Sequence, residues 1–214
     1  MVNVMAVVDP TRDVENDLFA AGYDYVIGVD EVGRGAIGGP VGVGVALFVP
    51  SLGEHPAGLR DSKMVSEKKR LVVEPAVREW TFTGVGYASA NEVDEFGITE
   101  ALSLAGGRAL EELRAHIPSG GRGVILLDGD RNWLKGRAKG LPVVTRVKGD
   151  RDCVSVAAAS IVAKVARDNL MIELAGSYPG YGFEGHKGYG AAKHYEAIKT
   201  LGVVDGVHRK TWIK

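Results

Sequence analysis

Apolar residues fall along this 214-residue chain in short runs, and the spacing inside each run predicts the element it forms. Tyr25 to Asp30 is an apolar stretch ended by acids and reads as a buried strand. Val41 to Phe48 begins by alternating valine with glycine, a period of two that predicts a strand with one face almost free of side chains. Glycine on that face lets another element approach closely. The short link between the two runs favours an antiparallel pair. Thr81 to Ser89 reads as a third strand, GVILLDGD (123–130) as a fourth buried on both faces, and LPVVTRVKGD (141–150) as a short fifth. Helical spacing fills the intervals. Thr11 to Ala21 predicts a short helix capped by Thr11. SEKKRLVVEPAVREW, from Ser66, predicts a helix kinked or broken at Pro75. Asn91 to His116 predicts a helical stretch broken at Gly97, after which Ile98, Ala101, Leu102, Ala105, Ala109, Leu110 and Leu113 share one face. Val154 to Leu174 is alanine-rich and strongly helical, YPGYGFEGHKGYG (178–190) reads as a loop, and Ala191 to Leu201 as a last helix. Three consecutive strands, then helices alternating with two more, argue for the α/β class: a mixed sheet with helices on both faces.

Composition adds limits. Hydrophobic residues make up 45% and charged residues 25% of the chain, ordinary for a globular protein. No apolar run approaches the roughly 20 residues of a membrane helix. The start, MVNVMAVVDP, lacks the basic region of a signal peptide. The lone Cys153 excludes an internal disulfide and suits a reducing compartment, so a cytoplasmic protein without membrane contact is expected. Nothing signals an obligate oligomer, so a monomer is expected. Net charge is −1, which by itself predicts no nucleic-acid partner. Its distribution changes that picture: Arg131, Lys135, Arg137, Lys139, Arg146, Lys148 and Arg151 face only two acids over residues 129–151, and residues 186–214 repeat the bias. Such a basic half is compatible with a charged binding face, though on charge alone solvated surface is the more ordinary reading.

The acids carry the chemistry. Asp30 ends the first strand, Asp128 the fourth, and Asp150 follows the fifth. If those strands are parallel neighbours, all three gather at the sheet edge where open α/β sheets bind ligands. Gathered carboxylates repel one another, and a hard divalent cation such as Mg²⁺ or Mn²⁺ resolves the repulsion. Two such ions about 3.5–4 Å apart can clamp a phosphodiester. Glu31 raises an objection, because neighbours on a strand point to opposite faces. It can join Asp30 only if the strand ends or twists there, a departure that Gly33 and Gly35 permit. Taken singly, each acid also has an ordinary reading: Asp128-Gly129 as a turn, Asp150 as a helix cap, Asp30-Glu31 as the start of a loop.

The segments GVDEVGRGAIGGPVGVGV (28–45), GLRDSK (58–63), LLDGD (126–130), KGD (148–150) followed by SVAAASIVAKVARD (155–168), and YGFEGHKGYG (181–190) occur in that order. Together they resemble the type 2 ribonucleases H of the bacterial ribonuclease HII kind, over about residues 23 to 200. The resemblance implies a ribonuclease H-like fold: a five-stranded mixed sheet flanked by helices, with a helical C-terminal part. It implies one domain over residues 1–214, with about 1–22 as an N-terminal helical extension and about 178–214 closing the substrate cleft, and no extra domain of the related HIII type. Asp30, Glu31, Asp128 and Asp150 match the family's acidic residues and would hold Mg²⁺ or Mn²⁺. The implied reaction is endonucleolytic cleavage of the RNA strand in an RNA–DNA hybrid, and incision at ribonucleotides embedded in duplex DNA, leaving 5′-phosphate and 3′-hydroxyl ends. Gly33, Arg34 and Gly35 match the loop that senses the 2′-hydroxyl, which is what tells RNA from DNA. Tyr189 matches the tyrosine that stacks on the neighbouring sugar, with Tyr181 as its competitor. Lys63 and Lys187 would meet the phosphate backbone. The chain departs from the pattern at Ala191, where a threonine is common, and at Met64-Val65, where Lys-Leu is common. A resolvase-like nuclease would share the acids without needing the Gly-Arg-Gly, and a non-catalytic nucleic-acid binder would not need the acids. A phosphate loop at GRGAIGG lacks the Gly-Lys-Ser/Thr ending and a following helix.

Overall fold

The computed structural model describes residues 9–213. Five strands form one sheet: β1 (Tyr25–Val32), β2 (Val41–Phe48), β3 (Thr83–Ala88), β4 (Gly123–Asp128) and β5 (Val143–Arg146), in the order β3-β2-β1-β4-β5. β2 is antiparallel to both β1 and β3, whereas β4 is parallel to both β1 and β5, so the sheet is mixed, as the element order predicts. Around it run α1 (Asp13–Ala20), α2 (Glu67–Trp80), α3 (Ala90–Phe96), α4 (Ile98–Glu112), α5 (Gly149–Asp152), α6 (Val154–Ser177), α7 (Phe183–His186) and α8 (Ala192–Leu201).

Strand alternation divides the core in two. Ile27, Val29, Val43, Val45 and Leu127 pack with Leu102, Ala105 and Leu110 of α4. Val26, Ala46, Val124 and Leu126 face Val156, Ala159 and Val162 of α6 on the other side. α6 is apolar nearly all round because it is covered nearly all round. A third cluster, with Ile37, Met171, Tyr181, Phe183, Ile198 and Val207, ties the C-terminal part to the far end of α6.

The glycine-lined face of β2 does what its sequence suggests. A Cβ on Gly44 would stand 2.3 Å from the Ala159 carbonyl oxygen and 2.8 Å from the Ala163 Cβ. Backbone cannot yield as a side chain can, so Gly44→Ala is expected to destabilise the fold by about 1–3 kcal/mol. Urea denaturation checks this: the midpoint should fall with little change in slope. An unchanged midpoint would show that α6 is free to shift.

Three local expectations are corrected. α1 begins at Asp13 after Arg12, without a side-chain cap. Thr11 stands one residue before that position, with its Oγ1 accepting from Asp13 N–H at 3.4 Å, and its backbone is paired: its N–H donates to the Asp152 carbonyl at 3.0 Å, and its carbonyl accepts from Val154 N–H at 3.2 Å. α2 runs unbroken through Pro75. Pro75 and Leu71, whose carbonyl loses a donor, share an exposed face where water can replace the missing bond. The 178–190 segment is not all loop, since α7 lies within it. Ala191 caps α8 without a side-chain bond, as a missing hydroxyl requires. Among the described residues, no helix is long and apolar enough to cross a membrane.

Candidate active site

The parallel set β1, β4 and β5 brings three acids to one sheet edge. Asp30 lies near the end of β1, Asp128 closes β4, and Asp150 follows β5 in α5. Asp30 and Asp128 share the α6 face with Val26 and Leu126, while Glu31 lies on the α4 face with Ile27 and Val29. The objection about Glu31 is resolved differently from the expectation. β1 does not end there; it stays paired with β2 through Val32. What stops is pairing on the other flank, where β4 accompanies β1 only as far as Val29–Leu127. Past that point the flank of β1 is open, and the Glu31 side chain reaches around it. One carboxylate oxygen each of Asp30, Glu31 and Asp128 lies within 4.8 Å of the other two.

These charges strain one another. Burial, then the charges of Glu31 and Asp128, push the Asp30 carboxyl well above the usual carboxylate range. Burial and Asp128 raise Glu31, against the opposing pull of Arg34 and Lys63. Burial and Asp150 raise Asp128, although the N–H groups of Gly149 and Asp150 donate to its Oδ1 at 2.8 and 3.4 Å. Asp150 is buried beside the trio, and the Lys63 ammonium donates to its Oδ2 at 2.9 Å. Burial opposes the charge on Lys63, yet the bond to Asp150 and the fields of Asp30 and Asp61 raise its pKa. The donor set is all oxygen, buried at Asp30 and half-buried at Glu31 and Asp128, and mutually repelling. That is the chemistry of a site for a hard divalent cation.

Two clefts meet at the acids. One, of about 360 Å³, is lined by Asp30, Glu31, Gly33–Gly35, Lys63, Lys164 and Tyr189. The other, of about 620 Å³, holds Asp128, Arg131 and Asn132, and shares Glu31 and Arg34 with the first. Gly33 adopts φ +75°, and a Cβ there would collide with the Arg167 guanidinium, so glycine is required where β1 leaves the sheet. Arg34 and Gly35 are exposed beside it. The two tyrosines differ in place: Tyr181 is buried, stacked on Phe183, with its hydroxyl donating to Gly202, whereas Tyr189 lines the cleft. Lys63 is exposed along its length but its ammonium pairs with Asp150 of the acid cluster. Lys187, expected to meet phosphate, is buried, with its ammonium on the Glu184 carbonyl and 3.3 Å from Glu67. Lys164 was missed. It lines the cleft, bonded to Asp168 at 2.7 Å and 5.9 Å from the Tyr189 ring centre. Its signal was available as the one cation inside the apolar run AAASIVAKVA.

Residues 27–214 match the family described as Ribonuclease HII. A ribonuclease HII of Fusobacterium nucleatum is 41% identical over 203 residues, spanning 94% of this chain and 92% of its own. Among solved structures, an RNase HIII (Bst-RNase HIII) described in complex with Mn²⁺ superposes with a TM-score of 0.70 at 23% identity, covering 88% of this chain and 67% of that one. The RNase HII of Archaeoglobus fulgidus, described in a complex with PCNA, gives 0.67 at 24% identity, covering 87% and 93%. The structural likenesses establish a ribonuclease H-like fold. Because the family match and the identity both extend over nearly the whole sequence, the chain belongs to the ribonuclease HII family and is a ribonuclease H, a metal-dependent endonuclease.

Proposed function

We propose that the protein cleaves the RNA strand of RNA–DNA hybrids and incises duplex DNA at single embedded ribonucleotides, acting as a monomer and leaving 5′-phosphate and 3′-hydroxyl ends. The observation that supports this reading is that one cleft holds Asp30 and Glu31, the Gly33–Gly35 loop and Tyr189 together. Asp30, Glu31, Asp128 and Asp150 would hold Mg²⁺ or Mn²⁺. When bound, such ions activate water on one side of a phosphodiester and stabilise the leaving oxygen on the other.

The chain's own residues supply selection. Gly35 is exposed, with nothing within 4 Å of where a Cβ would stand, so a ribose can approach the backbone there and the loop can meet a 2′-hydroxyl that DNA lacks. The Gly33 and Arg34 carbonyls already accept bonds from Arg209, which leaves the loop's N–H groups to donate. Tyr189 offers a flat ring to the adjoining sugar, and the cations under it, Lys164 and Arg167, hold that ring against the cleft wall. Arg34, Arg131 and Lys164 provide positive charge for phosphates along the two clefts.

The test is a labelled duplex with one ribonucleotide, beside an all-DNA duplex and an RNA–DNA hybrid, each with Mg²⁺ and with Mn²⁺. Incision at the ribonucleotide and in the hybrid, with none in DNA, is expected. Equal cutting of the all-DNA duplex would overturn the proposal in favour of a nuclease that ignores the ribose.

A further inference from the structure

Two fully buried polar residues near the C-terminus, His208 and Arg209, lie outside the acid cluster. The Arg209 guanidinium spreads over three carbonyls: Nη2 donates to Gly33 at 2.8 Å, Nη1 to Arg34 at 3.0 Å, and Nε to Gly39 at 3.2 Å. Its backbone N–H donates to Ile37 at 2.9 Å. Burying a cation is costly unless its donors are met, and here the backbone of one loop takes one bond from each of the three nitrogens.

His208 leads to the other reading element. Its Nδ1 accepts from Val204 N–H at 2.8 Å, which places its proton on Nε2. That nitrogen lies 3.2 Å from His194 Nε2, and His194 Nδ1 lies 2.9 Å from the Tyr189 carbonyl. A carbonyl only accepts, so His194 carries its proton on Nδ1 and accepts from His208. One assignment of tautomers therefore satisfies the whole path from Val204 through both histidines to Tyr189. Backbone contacts run beside it: His208 bridges Gly38, Tyr189 bridges Ala36, and Gly39 N–H donates to Val207 at 2.7 Å.

We infer that the Val207–Arg209 segment is a positioning element for substrate reading. Arg209 fixes the Gly33–Gly35 loop, His208 acting through His194 fixes Tyr189, and the two readers are thereby held in one register against the acids. The inference rests on the reading of that loop and of Tyr189 proposed above.

Paired substitutions test it. His194→Asn keeps a donor where Nδ1 stands and loses the reach to His208; His194→Gln keeps the reach to His208 and leaves the Tyr189 carbonyl with the Ala191 N–H, at 2.8 Å, as its remaining donor. Arg209→Lys keeps the charge and loses the planar fork. On a duplex with one ribonucleotide, His194→Gln and Arg209→Lys should lower kcat about tenfold while KM changes less than about threefold, because phosphate contacts elsewhere carry duplex affinity. His194→Asn keeps the donor to Tyr189 but loses His208, and should also lower kcat by more than about threefold, because the inference requires His208 behind that donor. Thermal melting establishes that each variant is folded. Folded variants with unchanged kcat, or a His194→Asn protein that turns over as the parent does, would overturn the inference. Tyr189→Ala in the same assay separates the two layers. A loss there without loss in His194→Gln and Arg209→Lys defeats the positioning element alone; no loss there defeats the reading of Tyr189 and the histidine arm with it.

Discussion

Asp128→Asn is expected to lower cleavage of an RNA–DNA hybrid by at least about a thousandfold, the equivalent of about 4 kcal/mol of transition-state stabilisation. The protein should stay folded. Asp128 uses Oδ1 to accept from the N–H groups of Gly149 and Asp150, and an asparagine oxygen can accept the same two bonds. The tie between the end of β4 and α5 therefore survives. What changes is the other oxygen, which becomes an amide nitrogen able to donate toward the carboxylates of Asp30 and Glu31 but unable to bind a cation. Asp128→Ala is a useful contrast, since it loses the ties to α5 as well and should fall below Asp128→Asn in melting temperature. The measurements are turnover with Mg²⁺ and with Mn²⁺, and thermal melting with chelator. Parent-level turnover in Asp128→Asn would defeat the metal assignment.

Much of this site is legible in the sequence, because strand ends are legible. A run of valine, isoleucine and leucine followed by an acid marks both where a buried strand stops and which charge it carries to the sheet edge; Asp30 and Asp128 are found that way. Glu31 is harder. Its place depends on β4 ceasing to pair at Leu127, a property of two strands together that no single segment encodes. Lys187 shows the opposite failure: a lysine in a polar segment reads as exposed, yet an αL turn at φ 51° folds it inward onto Glu184 and Glu67. At Thr11 and Pro75 tertiary context modifies local preference. Thr11 is drawn into backbone pairing with the α5–α6 junction at Cys153, and Pro75 continues the helix without a break where water is at hand. His208-Arg209 gave no signal at all. In GVHRKTW two charged residues and a histidine without periodicity look like solvated surface, and only the folded chain brings carbonyls from residues 33–39 over the guanidinium.

Asp30→Asn should reveal the other side of the same arrangement, by stabilising the protein when no divalent ion is present. Folding raises the Asp30 carboxyl well above its ordinary range through burial and the charges of Glu31 and Asp128. Between the ordinary and the raised value, the folded protein holds a proton that the unfolded chain has released. Stability therefore falls as pH rises through that window, and the penalty is complete above it. Glu31 and Asp128 shift in the same direction and add to the slope. Carboxyls elsewhere act with the opposite sign: the Arg108 guanidinium holds Glu92 down to about 2, for example. The parent protein alone would mix these contributions, whereas the difference between parent and Asp30→Asn isolates the site. In chelator that difference should be small at about pH 4, near the ordinary carboxylate range, and should grow toward pH 8, with the variant the more stable. A divalent ion must reverse the ranking, because it binds the folded parent and relieves the repulsion. At a hundred times its Kd it adds about 2.7 kcal/mol, or roughly 5–10 °C in Tm for a chain of this size. A gap between parent and variant that is the same at every pH, or one indifferent to added Mg²⁺ and Mn²⁺, would mean that the three carboxylates are not held together against their mutual repulsion for an ion's sake.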